Sequence, residues 1–83
     1  MNSLGKARKL FVAGRFAAAL ATLDDATAGG EGRVAREVLR AELLERTGKP
    51  EQSRSTIAWV MRSREATQTE RSTCEFVLSR IES

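Results

Sequence analysis

Asp24 and Asp25 form the one adjacent acidic pair of an 83-residue chain that has a single cysteine, Cys74, and no histidine or tyrosine. Two carboxylates hold a hard cation only when further oxygens converge on them, and Glu31 is the one acid close by in sequence. The pair therefore reads as the solvated end of a helix. A thiol becomes nucleophilic through a base and an electropositive pocket. With no histidine to serve as base, Cys74 reads as a small buried hydrophobe. The glycine-rich run Ala28-Gly29-Gly30-Glu31-Gly32-Arg33 could offer amides to a phosphate at the start of a helix. No strand precedes it, however, no Lys-Ser or Lys-Thr follows, and Glu31 repels an anion. It reads as a loop between helices. Composition leaves no Cys/His zinc site and no internal disulfide, so neither a cofactor nor a metal is expected and the chain reads as non-enzymatic.

The remaining chemistry is that of surfaces. The formal net charge is +3, and residues 1–23 carry Lys6, Arg8, Lys9 and Arg15 without an acid, whereas residues 24–51 hold seven acids against five bases. Such a basic end suits an acidic protein, nucleic acid or an acidic patch on a second copy. Reading DNA needs a recognition helix with Arg, Asn or Gln aimed at base edges. From Glu37 onward the bases are mixed with Glu, which leaves a nucleic-acid-associated role as the weaker alternative. Trp59 and Met61 lie on one segment and are candidates for self-association, as a dimer or larger homo-oligomer, unless the final helix covers Trp59.

Elements of helical length must position these groups. Breakers at Gly14, at 29–32, at Gly48-Lys49-Pro50 and around 63–67 divide the chain into five segments, each expected to hold one helix of three turns or more. Ala7, Leu10 and Phe11 recur at helical spacing in the first, and Phe16, Ala19, Leu20, Leu23 and Ala26 in the second. Val34, Val38, Ala41 and Leu44 do so in the third, Ile57, Val60 and Met61 in the fourth, and Cys74, Val77, Leu78 and Ile81 in the fifth. Nothing alternates with period two over a strand's length, so the fold class is all-α. Thr67 and Glu70 stand at capping-box spacing and start the fifth helix. Short loops force neighbouring helices antiparallel. No run reaches the roughly 20 apolar residues that span a bilayer. Lys6, Arg8 and Lys9 ahead of an apolar stretch invite a signal-peptide reading, but Arg15 interrupts the stretch and Gly14-Arg15-Phe16 reads better as a turn. A lone free cysteine fits a reducing compartment, and a cytoplasmic location is expected.

The interval from Gly14 to Gly48 matches the period of a helix-turn-helix repeat. Gly14-Arg15-Phe16-Ala17-Ala18-Ala19-Leu20, followed by Leu23 and Ala26, resembles the second half of a tetratricopeptide repeat (TPR). Ala7 and Leu10 match the small and large positions of that family's first helix. Shifting by the same interval brings Ala41 and Leu44 onto Ala7 and Leu10, and Ile57 and Val60 onto Leu23 and Ala26. The second unit departs from the pattern: Pro50 replaces Phe16, and Ser53 and Arg54 replace Ala19 and Leu20, which predicts a looser helix angle or a polar inner surface. The proline that closes a repeat is also missing. The resemblance implies two antiparallel TPR-like hairpins, about residues 3–28 and 32–64, plus a helix at about 67–82, in a right-handed superhelical stack. That last helix is a solvating cap or the first half of a third unit, and the chain leans toward an N-terminal piece of a larger protein.

The resemblance further implies a protein-protein interaction module, its ligand on the concave surface of each unit's first helix. There it places Leu4, Arg8, Phe11 and Val12, then Val38, Glu42, Glu45 and Arg46, then Phe76, Ser79 and Arg80. A mixture of Arg, Glu and Phe suits a peptide or protein partner, although Phe11 and Phe76 serve equally well as core. The Lys and Asn residues with which some family members grip a terminal carboxylate are replaced by Leu4, Arg8 and Leu39. Arg outnumbers Lys eleven to three and Ala is abundant, which suggests a bacterial source, and the resemblance implies a regulatory or scaffolding domain of a signalling or transcription-regulatory protein.

Overall fold

A computed structural model describes residues 3–25 and 32–83, the side chains of Ser3 and Asp25 excepted. Five helices occur among them, α1 (Ser3–Val12), α2 (Phe16–Asp25), α3 (Arg33–Arg46), α4 (Pro50–Arg62) and α5 (Gln68–Glu82), and no strand does. The all-α expectation holds. α1 and α2 are the shortest, at 10 residues each. Ala26 and the run 28–31 lie outside the described residues.

The helix ends follow from local chemistry. The Gly14 amide donates to the Phe11 carbonyl and the Arg15 amide to the Leu10 carbonyl, both at 2.9 Å, with Gly14 at φ 79°. In the second turn the Gly48 amide donates to Glu45 at 3.2 Å and the Lys49 amide to Leu44 at 2.8 Å, with Gly48 at φ 80°. Each pair of bonds is a Schellman closure, whose left-handed residue favours glycine. Open space beside both glycines leaves the backbone angle as the reason for the residue type. Pro50 occupies the first turn of α4, where a missing amide proton costs no helical bond. At the start of α5 the Thr67 hydroxyl accepts from the Glu70 amide at 3.1 Å, and the Glu70 carboxylate accepts from the Thr67 amide at 2.8 Å.

One cation closes the α4–α5 connection. The Arg71 guanidinium donates to the carbonyls of Met61 at 3.1 Å, Ser63 at 3.0 Å and Ala66 at 3.4 Å. These include oxygens that the end of a helix leaves without an intrahelical partner. Arg71→Ala should lower stability by about 1–2 kcal/mol, since charged donors make the stronger hydrogen bonds and this one is only half-buried. Arg71→Lys should recover part of the loss, because an ammonium cannot span three carbonyls. Urea midpoints of the two variants check this, and equal midpoints would deny the guanidinium its bridging role.

α3 is the pivot of the fold. It packs against all four other helices; α1 and α2 pack on each other, α4 and α5 pack on each other, and no described residue of α1 or α2 contacts α4 or α5. Two buried clusters result. Ala7, Ala19, Leu20 and Leu23 close against Leu39, Leu43 and Leu44 on one side of α3. On the other side Val34, Val38 and Ala41 meet Ile57, Val60, Cys74 and Val77. Ser53 is fully buried and donates to the Ala41 carbonyl at 2.7 Å. The expected polar inner surface therefore does not form at this position: the serine fills an alanine-sized gap and satisfies its hydroxyl on the facing backbone.

Candidate functional site

Charged and aromatic side chains from α1, α3 and α5 meet on one face. Residues four apart on a helix share a side, which pairs Arg8 with Val12, Glu42 with Arg46, and Phe76 with Arg80. The Arg80 guanidinium donates to Glu45 at 2.8 Å, joining α5 to α3, and Arg46 lies 3.8 Å from the same carboxylate oxygen. Arg46 also sits 5.7 Å over the Phe11 ring and 5.6 Å over the Phe16 ring, joining α3 to the first hairpin. The two rings meet edge to face, centroids 5.4 Å apart. Partial burial pushes the Glu42 carboxyl above the usual carboxylate range, while Arg46 and Arg8 pull it back. The result is an alternating row, Arg8, Glu42, Arg46, Glu45, Arg80, across three helices.

The residues expected on this face fall into three groups. Arg8, Val12, Arg46, Phe76, Ser79 and Arg80 are exposed, with Val12 at 85% and Phe76 at 60% the exposed large hydrophobics among the described residues. Leu4, Phe11, Glu42 and Glu45 are half-buried, Leu4 and Phe11 against the first cluster. Val38 is the correction: it is buried with Val34 and Ala41, because its turn of α3 faces α4 and α5, and so it lies in the core beneath the face.

Trp59 and Met61 are half-buried against the second cluster. The Arg33 guanidinium lies 4.9 Å over the Trp59 ring. Sequence reading had no means of finding this pair, whose members stand at distant positions on the antiparallel α3 and α4. Asp24, read as a solvated helix end, is half-exposed and bonds to Arg40, which also holds Glu37 at 3.0 Å. Asp25's side chain lies outside the described set. No three His, Cys, Asp or Glu side chains converge among the described residues, and no helix there is long and apolar enough to cross a membrane.

Cys74 is buried in the second cluster, and desolvation, with Glu42 and Glu70 adding to it, pushes its thiol up to about 11 from 9.0. The thiol is neutral when protonated, so between those values the folded chain holds the proton that the unfolded chain releases. Stability should then be unaffected below about pH 9 and fall as pH rises toward 11. Urea midpoints of the native chain and Cys74→Ala, compared across that window, measure the effect; parallel curves would mean that the thiol is not desolvated.

No family model, curated protein or solved structure matches the chain.

Proposed function

We propose that the chain is a non-enzymatic protein-protein interaction module of tetratricopeptide type, its hairpins and final helix stacked in a right-handed superhelix. In this reading a protein or peptide partner lies on the face built by α1, α3 and α5. The observation that carries the reading is the pair of turns one repeat period apart, each closed by the same two backbone hydrogen bonds around a left-handed glycine. The order of contacts supports it, since the first hairpin meets α3 alone, as successive units of a stack do, and a closed bundle would bring it against α4 or α5. The setting that suits such a module is the cytoplasm of a bacterium, in a regulatory or scaffolding role in signalling or transcription.

Replacing two cations of the row tests the proposal. The Arg8→Glu, Arg46→Glu double variant should lose the proteins that the native chain captures from an extract of its source cell. Circular dichroism establishes that the variant is still helical. Undiminished capture by a folded variant would overturn the assignment of this face.

A further inference from the structure

The charges of this face are already partly used, and what they leave over defines the partner. Glu45 faces both Arg80 and Arg46, and Glu42 lies in the field of Arg8 and Arg46, so each carboxylate of the row is flanked by two guanidinium groups. A guanidinium carries five N–H donors and no acceptor. Arg80 uses one of them on Glu45, Arg46 lies within 6 Å of two aromatic ring centres, at 5.7 and 5.6 Å, and Arg8 is exposed with no described acceptor in hydrogen-bond contact. The row holds three cations against two anions, one of the two carboxylates is bonded to Arg80, and the unused capacity of the guanidinium groups is for donating to oxygen. Val12 and Phe76, one turn from Arg8 and Arg80 respectively, expose apolar surface at the two edges of the same row.

We propose that this face binds an acidic segment of another protein, whose carboxylates meet Arg8 and Arg80 while its apolar side chains cover Val12 and Phe76. The inference rests on the interaction-module reading and adds the chemistry of the partner. A bidentate carboxylate matches the planar guanidinium fork, and the aliphatic or aromatic neighbours of that carboxylate remove Phe76 from water. A nucleic-acid backbone fits less well, because Glu42 and Glu45 interrupt the row and would face its phosphates. A basic segment would find Glu45 already bonded to Arg80, Glu42 half-buried, and the outer positions repulsive.

Selection of a random-peptide phage library on the full chain tests this. Enriched sequences should combine two or more Asp or Glu with aliphatic or aromatic residues, and a synthetic copy should bind less tightly as salt rises. The Arg8→Glu, Arg80→Glu variant should weaken that peptide about tenfold or more, and Phe76→Ala should weaken it separately. If charge reversal disturbs the fold, Arg8→Gln with Arg80→Gln carries the same test, because it removes the cations without adding repulsion. Enrichment of peptides lacking acids, undiminished binding by the folded charge variants, or loss of binding through Trp59→Ala alone would overturn this inference and leave the module reading standing. Displacement of the peptide by oligothymidine at equal concentration would also overturn it, in favour of nucleic acid. Failure of any peptide to enrich would count against the module reading itself.

Discussion

Leu43→Ala is expected to remove about 2–5 kcal/mol of stability, the cost of truncating a fully buried leucine where the surroundings cannot collapse. For a chain of this length the total is roughly 4–12 kcal/mol, so a large part of the population would unfold in mild urea. The loss should be global because of where Leu43 stands. It packs with Ala7, Ala19 and Leu23 of the first hairpin, on a helix whose other side closes the second cluster. Freeing α3 from α1 and α2 therefore weakens the one described helix that packs against both clusters. Leu78→Ala is the comparison, a half-buried leucine on α5 at the margin of the second cluster, and should cost about 1 kcal/mol for its smaller change in buried area. Urea unfolding followed by circular dichroism separates the two. Equal midpoints would mean that α3 is not the pivot.

The helix ends were legible in the sequence because each rests on a residue type with its own backbone chemistry. Gly14 and Gly48 take the left-handed angle, Pro50 fits a first turn, and Thr67 with Glu70 makes a reciprocal cap. The core of α3 was legible in part. A single stripe of Val34, Val38, Ala41 and Leu44 describes a helix with one buried side, whereas Leu39 and Leu43 add a second buried side. The signal was present, since those two leucines are also four apart. Recognising it required knowing that α3 is covered by neighbours on two sides, which is a property of the whole chain. For the same reason Val38 looked available to a ligand when its turn is packed over by α4 and α5.

On the candidate face, spacing gave which residues share a helix side, Val38 excepted, and was silent on the electrostatics. Spacing can place Arg80 and Glu45 on the α5 and α3 helices, but the 2.8 Å contact between them depends on the separation and twist of those helices. Arg46 likewise reads as a surface charge until its approach to the Phe11 and Phe16 rings is seen. Sequence alone therefore counts charges on this face and cannot say which are spent. The donor-rich remainder, on which the proposed partner's chemistry turns, appears only in the folded chain.

Ser53→Leu is expected to destabilise by about 1–3 kcal/mol or more, the usual result of forcing extra carbons into a packed crossing. Ser53 and Ala41 are both fully buried, and the serine hydroxyl lies 2.7 Å from the Ala41 carbonyl. Ala7 and Ala19, their counterparts one repeat period earlier, are fully buried as well. Small buried residues thus stand between α1 and α2 and again between α3 and α4, and the second pair replaces one alanine by a serine whose hydroxyl returns to the backbone. Ser53→Ala keeps the volume and deletes one hydrogen bond, at a cost of about 0.5–1.5 kcal/mol. Leucine instead pushes α4 off α3 and opens the cluster that covers Cys74. A thiol reagent should therefore label Cys74 faster in Ser53→Leu than in Ser53→Ala under conditions where both remain helical. Equal labelling and equal urea midpoints would mean that α4 has room to move away from α3. The close crossing would then not be what serine and alanine share, and the proposed equivalence of the two helix pairs would lose its physical basis.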